Sequence, residues 1–169
     1  RGAALEFAEG RGYGPRSVDC NGWTLFHHAA VQSQHQRGML EVIRGLLQVA
    51  PIDFIDQKTN GGTPQGWAAL SLVCNARDGA NERAEIAQFL VDQRADVNVR
   101  NPHGATPLMA ACACGNWSAV RVLLDAGADV HTTNDRGRNA LDVTPPDQDR
   151  AVKGARRATS LLSRGIAIW

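Results

Sequence analysis

One phrase recurs along this chain, and that recurrence limits what it can fold into more than any other property. It reads DCNGWTLFHHAA from Asp19 to Ala30, KTNGGTPQGWAA from Lys58 to Ala69 and NPHGATPLMAAC from Asn101 to Cys112. A weaker copy, NDRGRNALDV, runs from Asn134 to Val143. The turn glycines Gly22, Gly61, Gly104 and Gly137 are separated by 39, 43 and 33 residues. A single copy of about 33 residues cannot bury its own apolar face, so a chain written in such units folds by stacking them.

Each phrase has a local physical logic. An Asn or Asp followed by Gly is turn chemistry, because the side chain bonds nearby backbone and Gly accepts a positive φ. Thr24, Thr63 and Thr106 then suit a helix N-cap, and Pro64 and Pro107 suit the first helical turn, where no amide is wasted. The small pairs Ala29-Ala30, Ala68-Ala69 and Ala110-Ala111 let neighbouring helices approach closely. A second helix follows each first one, with apolar residues spaced three and four apart. They are Val42, Ile43, Leu46 and Leu47, then Ile86, Phe89 and Leu90, then Val120, Leu123 and Leu124. The units close on Arg94-Ala95-Asp96-Val97-Asn98 and Gly127-Ala128-Asp129-Val130-His131, with Gly127 suited to a C-cap and Arg94 departing from that.

These residues resemble the ankyrin repeat family, most closely in the stretch from Gly104 to Val130, and the resemblance covers about residues 19 to 144. It implies an all-α solenoid of helix–turn–helix repeats with projecting turns, about three and a half to four repeats long. The expected repeats are 19–57, 58–100, 101–133 and the start of a fourth at 134–144. Residues 1–18 are expected to be an N-terminal cap or partial repeat, and 145–169 a capping helix and tail. The chain departs from the family at Leu25, which stands where Pro is usual, and at Gln65-Gly66, which replace Leu-His. Five additional residues, Ser33 to Arg37, and about ten, Leu72 to Asn81, are placed between the helices of the first and second repeats. Such loops cost little, since closure entropy grows slowly with length.

Composition adds mainly exclusions. Hydrophobic residues at 43% and charged residues at 21% are ordinary for a packed domain, and a formal net charge of +1 advertises neither nucleic acid nor a membrane surface. The chain carries no apolar run long enough to span a bilayer. Cys20, Cys74, Cys112 and Cys114 lack zinc-ribbon spacing and read as buried thiols of a reducing intracellular compartment, cytoplasmic or organellar. The chain holds no Gly-rich phosphate loop before Lys, no Gly-x-Ser-x-Gly and no His-Glu-x-x-His, so neither a catalytic centre nor a cofactor or metal site is expected. His27 and His28 are adjacent and point to different faces of a helix, which suits them poorly to one metal ion. The resemblance instead makes His27 a bridge between adjacent turns.

The family binds other proteins through its turn tips and the exposed face of its first helices. Carried onto this chain, the tips are Cys20, Asn21 and Trp23; Thr59, Asn60 and Gly62; Pro102, His103 and Ala105; and Asp135, Arg136 and Arg138. The exposed first-helix positions are Val31, Gln32, Leu70, Ser71, Ala113 and Cys114. The residues selected for a partner protein are Asn21, Trp23, Gln32, Asn60, His103, Asp135, Arg136 and Arg138, with Trp23 foremost because an exposed Trp anchors interfaces. Trp67 and Trp117 are read as packing residues. Asn98 stands where the family can be hydroxylated on asparagine. A basic face on the last helix (Arg150, Lys153, Arg157, Arg164) suits solvent, or else an acidic partner or a membrane surface. The expected function is a non-catalytic protein-interaction scaffold. The alternatives are a permanent subunit of a large assembly, such as an organellar complex, and a substrate-recruiting fragment of a larger enzyme.

Overall fold

The computed structural model describes residues 17–33, 38–49, 55–60, 65–77 and 81–145. The expected N-terminal cap, the capping helix with its basic face, and the turn residues Gly61, Gly62, Thr63 and Pro64 lie outside these or largely so. The described residues form six helices in three consecutive, mutually packed pairs. The first helices are α1 (Leu25–Gln32), α3 (Ala69–Cys74) and α5 (Pro107–Cys114). The second helices are α2 (Met39–Val49), α4 (Asn81–Asp92) and α6 (Trp117–Asp125). First helices pack on first helices and second on second, α1 on α3 on α5 and α2 on α4 on α6. No strand occurs among the described residues, whose one β-bridge joins Val18 and Thr24. This is the all-α solenoid that the repeat implied.

The pairs begin as their residues dictate. Thr106 Oγ1 accepts from the Met109 N–H and Pro107 opens α5, which Gly115 ends in the left-handed conformation. Asn116 caps α6 by accepting from the Ala119 N–H. Helix α3 starts on Ala68, whose side chain supplies no cap, and it is also the shortest. The core is one continuous cluster in which Phe26, Ile43, Leu70, Ile86, Leu90, Leu108 and Leu123 are fully buried, each contributing about 1.5–3 kcal/mol against exposure. Val42 does not join them and is 36% exposed, so α2 buries Ile43 and Leu46. Phe89 is half-buried beneath the Arg44 guanidinium, 4.8 Å from its ring centroid.

The second repeat has a different register from the one its phrase suggests. Asp19, Asn101 and Asn134 each pair through their N–H with the carbonyl four residues on, at Trp23, Ala105 and Arg138. The corresponding bond in the second repeat runs from the Thr59 N–H to the Trp67 carbonyl, eight residues on. Gly66, with φ +70°, takes the place held by Gly22, Gly104 and Gly137 at φ +71°, +71° and +70°. The turn glycine is therefore Gly66 and not Gly61, four residues enter the hairpin, and about five rather than ten are left between α3 and α4. Trp67 then becomes the counterpart of Trp23, and Leu72, Val73 and Cys74 form the body of α3 rather than the start of an insert. The register buries Leu70, Leu72 and Val73, and it sets Gly66 against the Pro102 ring, which leaves room for no side chain.

Gly127 ends α6 at φ +81°, whereas Arg94, its counterpart after α4, is the one non-glycine described with positive φ, +66°. An L side chain there costs about 1–2 kcal/mol, partly offset in a glycine variant by the larger entropy of the unfolded chain. Arg94→Gly is expected to stabilise the protein by roughly 0.5–1 kcal/mol in urea denaturation.

Candidate functional site

The hairpins that open each repeat are held by their own side chains. Asp19 Oδ1 accepts from the N–H groups of Asn21 and Trp23 at 2.8 and 2.9 Å. Asn101 Oδ1 does the same for His103 and Ala105, and Asn134 Oδ1 for Arg136 and Arg138. Thr59 takes this role in the second repeat, where its hydroxyl accepts from the Trp67 N–H at 3.1 Å. Thr59 is consequently buried, not a tip residue as the family pattern suggested. Carboxylate Asp19 is held below its usual range by the Trp23 N–H first, with His28 and the Asn21 N–H adding to it.

Neighbouring hairpins are tied together in a recurring way. Lys58 Nζ donates to the Arg100 carbonyl at 2.7 Å, and Arg100 in turn donates to the Thr133 carbonyl at 3.0 Å. The Asp56 carboxylate accepts from the Asp96 N–H and Asn98 Oδ1 from the Asp129 N–H at 2.8 Å. Asn98, the position of the implied modification, is exposed but has its side-chain oxygen occupied in this ladder. Burial pushes the Asp56 carboxyl upward against the effect of the Asp96 N–H. At the tips, the Asn60 N–H faces the Gly22 carbonyl at 3.5 Å and the Asp135 N–H donates to the His103 carbonyl at 3.1 Å. Pro102 has no N–H to offer the second hairpin; its ring lies against Gly66 instead.

Seven of the eight selected residues, Asn21, Gln32, Asn60, His103, Asp135, Arg136 and Arg138, are exposed. Trp23 is half-buried: its ring sits 5.2 Å from the His28 ring and 6.4 Å from His27, both tilted. His28 is in turn paired with Asp19 at 2.9 Å. Two residues of the wider first-helix set are misplaced by the sequence pattern. Leu70 is 0% and Ser71 4% exposed, because the shifted register turns them from the open edge of the helix into the core. Leu70 occupies the position of Phe26 and Leu108, and Ser71 that of His27 and Met109. What sequence reasoning missed on the surface is the apolar edge of the first repeat, where Val18 and Leu25 are 45% and 40% exposed. Its signal was Leu25 itself, at a position where the other first helices carry Ala69 and Pro107.

The four cysteines are free thiols, of which Cys74 and Cys112 are buried as expected, whereas Cys20, on the first hairpin, is exposed and Cys114 half-buried. Burial pushes Cys112 up to about 11 and Cys74 beyond any physiological range, so neither is a nucleophile. No group of three or more His, Cys, Asp or Glu residues placed to hold a metal ion occurs among the described residues. No helix among them is long and apolar enough to cross a membrane.

The family model for ankyrin repeats in many copies matches residues 90–143, the stretch from the end of α4 to the fourth hairpin. This chain is built of ankyrin repeats. A putative ankyrin repeat protein of Acanthamoeba polyphaga mimivirus is 40% identical to it over 78 residues, 44% of this chain and 12% of the viral protein. Protein phosphatase 1 regulatory subunit 12A of Mus musculus is 31% identical over 118 residues, 70% of this chain and 10% of the subunit. E3 ubiquitin-protein ligase KEG of Arabidopsis thaliana is 26% identical over 122 residues, 72% of this chain and 7% of the ligase. The chain thus spans about a tenth of the length of these relatives. Within the ankyrin stack the first repeat alone keeps the histidine of the family phrase. His27 Nδ1 lies 3.2 Å from the Thr24 N and 2.7 Å from Thr24 Oγ1, while Nε2 lies 2.8 Å from the Gln57 carbonyl. It bridges one ankyrin hairpin to the next, as the resemblance implied.

Proposed function

We propose that this ankyrin stack is a protein-interaction module, and that it holds a partner protein through its hairpin tips and the adjoining edge of its first helices. Ankyrin repeats generally serve interaction rather than catalysis. The observation that carries the reading is the division of labour in the hairpins: backbone and Asx side chains satisfy one another, while Asn21, Asn60, His103, Asp135, Arg136 and Arg138 project from them exposed. A surface already fixed in place loses little conformational entropy on docking. Trp23, held against His28 and bordered by Val18 and Leu25, is the anchor of that surface.

A second reading draws on the relatives, one named as a regulatory subunit of a phosphatase and one as a ubiquitin ligase, of which the matched stretch is a small part. In that reading the repeats recruit a target to an enzyme, or seat the chain permanently in an assembly. Both readings use the same tips.

The test is affinity purification of the native protein with quantitative mass spectrometry, followed by titration of the recovered partner against Trp23→Ala and Arg121→Ala. Arg121 is exposed on α6, away from the hairpins. Trp23→Ala is expected to weaken binding at least tenfold, about 1.4 kcal/mol or more. Arg121→Ala is expected to leave it unchanged. Equal affinities for all three proteins would move the site off the first hairpin.

A further inference from the structure

His27 is 1% exposed and Thr24 is 0% exposed, so the bridge between the first and second repeats is cut off from water. Its partners fix the tautomer. The Gln57 carbonyl can only accept, so Nε2 carries the proton and donates to it across the repeat boundary. Nδ1 is therefore the unprotonated nitrogen and accepts from the Thr24 N–H, the N-cap amide of α1. A second proton is costly here. It would make Nδ1 a donor to the Thr24 hydroxyl at 2.7 Å, take from the buried Thr24 N–H its acceptor, and put a full charge in a dry site.

The charged groups around the bridge do not offset that cost. On the first repeat, Asp19 attracts a charged His27 but is already paired with His28, and His28 opposes it. On the segment packed beyond it, Asp56 is engaged with the Asp96 N–H and Lys58 with the Arg100 carbonyl. Helix α3 contributes only the Cys74 thiol, and α2 only Glu41 and Arg44, which face each other at 3.8 Å. Burial accordingly holds the His27 imidazole below its ordinary 6.5, ahead of the opposing pull of the Gln57 carbonyl.

The equivalent positions of the following repeats carry Ser71, Met109 and Asp142, so the later repeats have no imidazole at this position. We propose that protonation of His27 at mildly acidic pH unlatches the first repeat from the second, so that the Trp23 hairpin and α1 leave the stack while the later repeats stay folded. This is a regulation of the partner surface and rests on Trp23 belonging to it. A histidine whose folded value is depressed takes up its proton more readily when open. The latch is therefore fully present above pH 6.5 and is lost as the pH falls below it.

Hydrogen exchange of the native protein between pH 7.5 and 5.5, corrected for intrinsic rates, reads the opening directly and needs no partner. The opening equilibrium of residues 17–33 is expected to rise below pH 6.5, approaching about tenfold per pH unit, while residues 81–145 hold their protection. His27→Gln is expected to flatten this dependence, and His28→Asn to keep it. A 15N titration of the imidazole in the unaltered protein decides the matter even if His27→Gln does not fold. Titration of His27 at or above 6.5 would overturn the proposal. So would opening of both segments in step, or a rise that persists in His27→Gln. Because binding is not measured, failure of the Trp23→Ala test leaves this outcome untouched, and the reverse also holds.

Discussion

Replacing Gly66 with alanine is expected to destabilise the protein by about 3 kcal/mol or more, against about 1 kcal/mol for the same change at Gly137. The two glycines share a φ of +70°, so both variants bear the same penalty for an L side chain in the left-handed region. They differ in what the new methyl group meets. At Gly137 nothing lies within 4 Å, whereas at Gly66 the Cβ would come to 2.4 Å from Pro102 Cδ and Cγ. The proline ring is rigid and cannot swing aside as a long side chain would. Either the second hairpin must separate from the third or the turn must reopen. Urea denaturation of the two variants isolates the ring contact as the difference between them. Equal losses would mean that the second hairpin does not close at Gly66.

Leu70→Ala is expected to cost roughly 2–5 kcal/mol, the range for emptying a leucine-sized space in a packed core. Leu70 is 0% exposed and belongs to the cluster that also holds Phe26 and Leu108. Helix α3 is six residues long, starts without a side-chain cap and is buried along its whole length, so it has little besides this packing to hold it. Denaturation with Ala113→Ser as the exposed comparison separates a core position from an edge one. A loss for Leu70→Ala under about 1 kcal/mol would restore the register in which Leu70 faces outward.

The sequence was most readable where turn, cap and packing signals agree. The third repeat has Gly104, Thr106, Pro107, Leu108 and the closing Ala-Asp-Val in one uninterrupted run, and the structure follows it residue for residue. The second repeat offered two competing signals. Asn60-Gly61-Gly62-Thr63-Pro64 imitates the phrase, but adopting it would turn Gln65 and Gly66 into the first helix and leave Leu70 outside. Burial of Leu70, Leu72 and Val73 outweighs a capping threonine and an N-terminal proline, since a cap is worth about 1 kcal/mol and each apolar side chain more. Tertiary packing decides that contest, and packing is not a local property of the phrase. His27 was legible as a bridge from its place in the motif; that its counterparts are Ser71 and Met109 followed only once the second repeat was in register. Trp23 and Trp67 likewise became equivalents through the hairpin bonds, not through their surroundings in the sequence.

Pro102 has a mechanical consequence. Across the joint between the second and third repeats, the base is fastened by the Lys58 ammonium on the Arg100 carbonyl and by the Asp56 carboxylate on the Asp96 N–H. At the tip, among the described residues, Pro102 has no N–H to donate and its ring lies on Gly66. A hydrogen bond resists sliding because it is directional, whereas a flat contact resists only approach. Under a bending load the Pro102–Gly66 contact opens without a directional bond breaking at that point. The next joint is bolted at both ends, by Arg100 on the Thr133 carbonyl and by Asp135 on the His103 carbonyl. The two joints thus differ in kind among the described residues, one closing on shape at Pro102 and Gly66 and the other on a bond at Asp135 and His103.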